Sequence, residues 1–386
     1  MVAEPVQASL SFLRAAYSQA SGYVSELFPA PDPNGSAPKT LPPTRPLERF
    51  FSWTEQHKRA IWAAAGVGLG VGIGAGAFFY SQTRAPPKRR VPKLANGARR
   101  DVVLVVGSPT EPLTRLVALD FEKRGFIVYL TILDDKDARY VNQSTLADDV
   151  NYLNLHDSPT DAVLRDFKRW LATPVVPFAN AAPHRLRLRA VVFAPHMFFP
   201  LGPAESVSPA SWARVQRLLA VHFELFSAGL ADIVRSHSSR VVAVVPTVVS
   251  TLCMPYHAPE AVFQAALKSF YATLAHELGP HGVPVTQVRL GNLNVSRGTP
   301  SAAVVDAEVR SWPEEMRDAY GAHFRRAQAR AAVGSGRASR SLRDLHHLLF
   351  DLVFARSPPR VVYFGTGARA YEWLVCLFPW AASMAL

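Results

Sequence analysis

From Arg240 to Asn292 a strand, a helix and a second strand follow one another at close spacing, and no other stretch of the chain constrains the fold as tightly. Val241-Val-Ala-Val-Val245 is a short run rich in β-branched residues. Ala261 to Leu278 carries apolar residues at helical spacing, and Val283-Pro-Val-Thr-Gln-Val-Arg-Leu290 is β-branched again before Gly291. Runs that are apolar on both faces suit strands buried inside a parallel sheet. A helix of about five turns has the length of a right-handed crossover between two of them. The expected class is a doubly wound α/β domain.

The stretch Leu267 to Leu293, LKSFYATLAHELGPHGVPVTQVRLGNL, resembles the helix and following strand of the short-chain dehydrogenase/reductase family, whose fold is a Rossmann-like parallel sheet. The resemblance covers roughly residues 101 to 370. Counting back from Glu277 by the family's spacing puts Glu260 and Gln264 in the positions of the catalytic Tyr-x-x-x-Lys. The same count puts Thr247 in that of the catalytic serine and His222 in that of the helical asparagine. Moving the register by one turn brings Lys268 into the lysine position but leaves Gln264 where the tyrosine belongs. In the family the phenol exchanges a proton with the substrate oxygen, while the lysine lowers its pKa and holds the nicotinamide ribose. An ionised Glu260 only accepts hydrogen bonds and has the wrong charge beside a developing alkoxide; Gln264 has no charge to depress a neighbour's pKa. No catalytic set is intact, so Glu260 is expected solvated on a helix flank, Gln264 packed behind it, and His222 packed or hydrogen-bonded.

Asp101-Val-Val-Leu-Val-Val106 reads as the first buried strand, and Gly107 opens a turn into a helix from about Pro112 to Arg124. Where the family has Gly-x-x-x-Gly-x-Gly, this chain has Gly107-Ser108-Pro-Thr110-Glu111-Pro-Leu113. The lost glycines are those that let backbone approach a pyrophosphate, and a carboxylate there competes with the phosphates for the positive end of the helix. The preferred reading is that Glu111 caps and charge-complements the helix start. After the second strand, Phe126 to Ile132, Asp134 is placed to hold an adenosine ribose, although Thr131 occupies the nearest family position. His156-Asp157 follows a third strand, Asp149 to Leu155, and resembles the family's adenine contact displaced by about one residue. Val192, Phe193 and Pro195 replace polar and glycine residues of the Asn-Asn-Ala-Gly floor. The expected cofactor is none, with NADP or NAD as the alternative. Trp212 to Val234 reads as one long helix, Asn294 to Ser339 as the family's lid region, and Ser341 to Phe354 and Arg360 to Phe364 as the last crossover. The aromatic segment Ala370 to Trp380 either dips into a membrane or caps the domain.

Ahead of this domain, Ala60 to Tyr80 is a run of 21 residues without a charge, AIWAAAGVGLGVGIGAGAFFY, long enough to cross a hydrocarbon core as a helix. Trp62 and Phe78-Phe79-Tyr80 are placed as interfacial anchors. Gly66, Gly70 and Gly74 line one face, which predicts self-association of the span through close backbone packing. The formal net charge is +12, and seven of the basic residues fall between Arg84 and Arg100 with no acid among them. Residues 1–60 carry six basic and five acidic residues, so only about +4 remains after Arg100, which argues against a nucleic-acid-binding domain. By the positive-inside rule the large domain lies on the cytosolic or matrix side. Two cysteines, Cys253 and Cys376, exclude a disulfide framework or a zinc site.

The chain therefore divides into an N-terminal region with an amphipathic segment and a Pro-rich linker (1–59), a transmembrane helix (60–82), a basic linker (83–100) and a Rossmann domain (101–386). As a whole it resembles a membrane-anchored fungal family of unknown function with a degraded short-chain fold. That resemblance implies a mitochondrial membrane, with the endoplasmic reticulum as the alternative. The expected role is a binding or scaffolding module without dehydrogenase activity. The rival is an NAD(P)H-dependent reductase of a lipid-like carbonyl or alcohol, using Thr247 with Tyr256 or Glu260 as proton donor.

Overall fold

The computed structural model describes residues 89–143, 150–177, 182–291, 302–334 and 341–377. The expected N-terminal region and membrane span, with Gly66, Gly70 and Gly74, lie outside the described residues. No helix among the described residues is long and apolar enough to cross a membrane.

In chain order the elements are β1 Asp101–Val106, α1 Pro112–Lys123, β2 Ile127–Ile132, α2 Asp135–Gln143, β3 Val150–Asn154 and α3 Thr160–Ala172. Next come β4 Arg187–Phe193, α4 Pro209–Leu225, α5 Ala231–His237, β5 Arg240–Pro246, α6 Val248–Leu252 and α7 Ala258–Leu278. The last are β6 Val285–Leu290, α8 Ala302–Ser311, α9 Glu314–Gly334, α10 Leu342–Phe354, β7 Val361–Phe364 and α11 Ala368–Leu377. Among the described residues the seven strands form one sheet ordered β3-β2-β1-β4-β5-β6-β7, parallel at every pairing. The order reverses between β1 and β4, and the crevice at that switch point is where a doubly wound fold binds its ligand.

The continuous apolar runs have a direct cause in the two-sided burial of the sheet. Val102, Leu104 and Val106 face one core with α3, α4, α5 and α7, while Val103 and Val105 face a second core with α1 and α10. Alternate residues of β1 thus need apolar side chains on both faces, which erases the hydrophobic alternation of a half-exposed strand.

The helix expected over Trp212 to Val234 differs in two ways. It begins at Pro209, because Ser208 caps it by accepting the Ser211 N–H at 3.2 Å and Pro209 supplies a preset first turn. It then breaks over Phe226–Leu230, a wider turn in which Gly229 has φ +111°, before α5 resumes. Over the expected lid region, α8 and α9 close on each other through Val309, Trp312 and Phe324, with Tyr256 packed against them.

Candidate functional site

The carboxyl ends of β1, β4 and β5 bring together Gly107, the Ala194-Pro195-His196 loop and Thr247. Gly107 is required by proximity, since a Cβ there would stand 3.0 Å from the Thr114 side chain and 3.1 Å from Ala194. Its N–H donates to Thr131 Oγ1 at 2.9 Å, and that hydroxyl donates back to the Gly107 carbonyl at 3.0 Å.

Glu111 does not cap α1 as expected. The residue stands at the N-cap position, but its side chain accepts no N–H from the first turn, where Pro112 has none to give. Instead the carboxylate turns inward, only 4% exposed, with Oε1 3.5 Å from His196 Nδ1 and Oε2 without a hydrogen-bond partner among the described residues. Leu113, at the family's third glycine, is buried in the core beneath it.

Ser108 and Thr110 are held by a residue that the sequence reading passed over. Asp137, with no exposed surface, accepts from the Ser108 hydroxyl and from Thr110 Oγ1 at 3.1 Å through Oδ1, and from the Leu133 N–H at 3.1 Å through Oδ2. Burial pushes its carboxyl above the usual carboxylate value; the bonds from Ser108, Leu133 and Thr110 oppose that push without reversing it. Asp134 is used as a local cap, its Oδ1 accepting the Asp137 N–H at 2.8 Å. His156 and Asp157 are likewise engaged locally, with Asp135 and Asn154.

Phe193 and His222 lie under this crevice. The His222 ring stacks on Phe193 with centroids 5.2 Å apart, and its Nδ1 is 2.7 Å from the Tyr271 hydroxyl. Burial, then the neighbouring His196, lowers the His222 pKa to about 3, while burial raises that of Tyr271 well above the ordinary phenol value. The pair is therefore a neutral imidazole hydrogen-bonded to a neutral phenol.

At the family's catalytic positions, Thr247 is buried and its hydroxyl has no hydrogen-bond partner among the described residues. Glu260 is not a solvated residue. Its Oε2 lies 3.1 Å from His257 Nδ1 and its Oε1 accepts from Gln264 Nε2 at 2.8 Å, while Gln264 Oε1 accepts the Ser250 N–H at 3.1 Å. His257, Glu260 and Gln264 share one face of α7 by their spacing, a signal available in the sequence and overlooked there. Tyr256 is turned elsewhere: its backbone is left-handed at φ 68°, its hydroxyl is 2.7 Å from His323 Nδ1 on α9, and its ring packs against Phe324. The Tyr256 of the rival reading thus belongs to the α8–α9 cluster.

α11 covers the remaining side by packing on α6. Glu372 fixes it there, paired with Lys268 at 2.8 Å and with Arg289, and accepting from the Tyr363 hydroxyl at 2.8 Å. Burial raises the Glu372 pKa, but the bonds from Lys268 and Tyr363 and the Arg289 charge outweigh it and hold the group below the usual range. Outward, α11 exposes Trp373 and Leu377.

As they stand, these side chains do not match the needs of a dinucleotide. Glu111 puts negative charge where a pyrophosphate meets α1, Ser108 and Thr110 are committed to Asp137, and Gln264 offers no ammonium to a ribose.

Sheet order, switch point and the Gly107 turn together define a Rossmann domain of the short-chain dehydrogenase type. The chain belongs to the fungal family of unknown function DUF1776, whose model matches residues 98–382. It is 23% identical over 216 residues to the UPF0744 protein C106.03 of Schizosaccharomyces pombe, a match covering 56% of this chain and 57% of that relative, so just over half the relative's length is spanned. Among solved structures, a short-chain dehydrogenase from Streptomyces avermitilis aligns with a TM-score of 0.51 at 16% identity, covering 74% of this chain and 97% of that one. A xylitol dehydrogenase solved with NAD+ bound aligns with a TM-score of 0.51 at 13% identity, over 70% and 99% of the two chains. At these identities the likeness is one of fold.

Proposed function

We propose that this protein is a membrane-anchored binding or scaffolding module built on a short-chain dehydrogenase fold, with the dinucleotide crevice taken up by its own side chains. The observation that carries this reading is the inward, buried Glu111 carboxylate beside His196, at the end of α1 where a nucleotide's phosphates would otherwise be held. The partnered Asp137 and Glu260 and the buried Thr247 support it. The rival, an NAD(P)H-dependent reductase, draws support from the NAD+-bound xylitol dehydrogenase that shares the fold, and from Glu260 paired to His257 as an acid–base group. Calorimetric titration of the full-length chain with NAD+, NADH, NADP+ and NADPH separates the two. The module reading expects no dissociation constant below about 10 μM; a tighter one overturns it in favour of the reductase, whose turnover is then assayed in Tyr256→Phe and Glu260→Gln.

Anchoring rests on the uncharged run Ala60 to Tyr80 and the basic residues that follow it, with a mitochondrial membrane proposed and the endoplasmic reticulum as the alternative. Retention of the chain in the pellet after carbonate extraction, and its release on deletion of residues 1 to 83, is the expected result. Self-association through Gly66, Gly70 and Gly74 is expected to weaken in Gly70→Leu/Gly74→Leu.

A further inference from the structure

The opposite, amino edge of the sheet holds a cleft of about 380 Å³ whose charged lining groups are all basic. Arg100 ends the linker into β1, Arg185 and Arg187 lead into β4, and His237 closes α5 ahead of β5. The Arg187 N–H donates to the Arg100 carbonyl at 3.0 Å, which sets these two arginines side by side on neighbouring strands. Asp101, the acid next in sequence, is paired instead with Arg189 at 3.3 Å, and none of Arg100, Arg185 and Arg187 has a carboxylate partner among the described residues. The His184 Nε2–H donates to the Arg99 carbonyl at 3.1 Å, and its buried Nδ1 has no hydrogen-bond partner among the described residues. The crowding is felt within the cluster: burial, then Arg187 and Lys168, holds the His237 imidazole below its ordinary pKa, and burial, then Arg189 and Arg187, lowers Arg240.

A fold does not gather like charges at one point without cost, and the cost is relieved when an anion of matching charge enters. We propose that this cleft binds a phosphate ester group, carried by an anionic lipid headgroup or by a free phosphorylated polyol. Guanidinium forks match phosphate oxygens two at a time, and a cleft of this size admits a headgroup-sized ligand. Leu94 supplies an apolar wall. In the sequence seven basic residues and no acid fall between Arg84 and Arg100; Arg89 and Arg99 are paired with Asp351 and Glu122, and the remaining charge adds attraction toward an anionic surface. The site is independent of whether the crevice at the other edge takes a dinucleotide.

The test uses the full-length chain in neutral detergent micelles, titrated by calorimetry with inorganic phosphate, with inositol trisphosphate, and with micelles doped with phosphatidylinositol bisphosphate. The phosphorylated inositol probes are expected to bind with a dissociation constant on the order of 50 μM or tighter, and Arg185→Gln/Arg187→Gln to weaken them at least about 10-fold. Arg214→Gln/Arg217→Gln, which removes the same charge from exposed positions of α4, should change affinity by less than about 2-fold. Tighter binding of the doped micelle than of the free trisphosphate assigns the ligand to lipid; equal affinity assigns it to a free phosphate. A second reading needs no variant: the His237 ring resonances of the wild-type chain should report a raised pKa when trisphosphate saturates, because bound phosphate offsets Arg187 and Lys168. The proposal is overturned by absence of binding to either inositol probe, by equal loss in the α4 control, by an unmoved His237 titration with ligand bound, or by short single-stranded RNA binding more tightly than both inositol probes.

Discussion

Asp137 and Arg187 stand at opposite edges of the same sheet, the first with no exposed surface and three hydrogen-bond donors around it, the second half-buried with no acid in ion-pair reach among the described residues. The contrast extends to their neighbours. At the carboxyl edge Glu260 is bound by His257 and Gln264, and Glu372 by Lys268, Arg289 and Tyr363. At the amino edge Arg100, Arg185 and Arg187 surround a cleft while Asp101 serves Arg189. A charge satisfied by its own chain is part of the fold, and its loss is a loss of stability. A charge left without a partner belongs to whatever the solution offers, and its loss should register in binding and salt dependence. In the proposed reading this difference sets a crevice taken up by its own side chains against a cleft left open to an anion.

The largest expected effect comes from breaking the carboxyl edge at Asp137. Asp137→Ala removes the acceptor of the buried Ser108 hydroxyl, of the Thr110 hydroxyl and of the Leu133 N–H, and should destabilise the domain by about 2–4 kcal/mol in urea titrations followed by tryptophan fluorescence. Arg187→Gln should move stability by less than about 0.5 kcal/mol. If the two variants unfold at the same urea concentration, the contrast between the edges collapses. Asp137→Asn sharpens it. A carboxyl whose folded pKa is raised above 3.8 contributes stability that is complete below that value and is lost as pH rises through the folded pKa. The Asn variant should lack that decline on the rising-pH side.

The buried His222–Tyr271 pair should give the next effect, with the opposite sign. With its folded pKa lowered to about 3, His222 favours the folded state fully above pH 6.5, and that contribution is lost as pH falls toward 3. From the limiting slope of about 1.4 kcal/mol per pH unit, the wild type should lose about 2 kcal/mol from this group between pH 7 and pH 5. His222→Leu/Tyr271→Phe removes donor and acceptor together, so no orphaned polar group is created. Its acid limb, measured by denaturation at the two pH values, should be shallower by about that amount. An unchanged limb would mean that His222 is protonated inside the fold.

The fold was legible because a parallel sheet covered on both faces has to be written in runs such as Asp101–Val106 and Val241–Val245, and because crossover helices keep their length. Ends of helices were less so: Ser208-Pro209 is a readable cap, but the break at Gly229 depends on a backbone conformation that spacing alone does not reveal. In the site, the partners of the candidate residues were not legible. Thr247, Glu260 and Gln264 were singled out by counting back from Glu277 along the sequence, but the direction of the Glu111 carboxylate follows from His196, a residue on another strand's loop. Asp137 was missed because its acceptor role depends on β1 and β2 lying side by side, which brings Ser108 next to the start of α2. Tyr256 was misjudged for a similar reason: what turns it away is His323 and Phe324, about 67 residues later.

The smallest expected effect lies at the amino edge and concerns salt. Arg100, Arg185, Arg187 and His237 repel one another across a partly open cleft, so screening should matter there more than at the closed carboxyl edge. The screening length falls from about 30 Å at 0.01 M salt to about 10 Å at 0.1 M. Between these salt concentrations the wild-type domain should gain a few tenths of a kcal/mol from relief of that repulsion, and Arg185→Gln/Arg187→Gln should gain measurably less. The difference should be greater at pH 6 than at pH 8. His237 has a lowered folded pKa, so its neutral form is favoured in the folded state and its contribution, complete above pH 6.5, is lost as pH falls; removing Arg187 takes away part of the cause. Thermal denaturation in sodium chloride at the two pH values measures all four conditions. Equal salt slopes for the wild type and the double variant at both pH values would place the repulsion outside this cleft, and would leave the amino edge as ordinary solvated surface rather than the counterpart of the filled crevice.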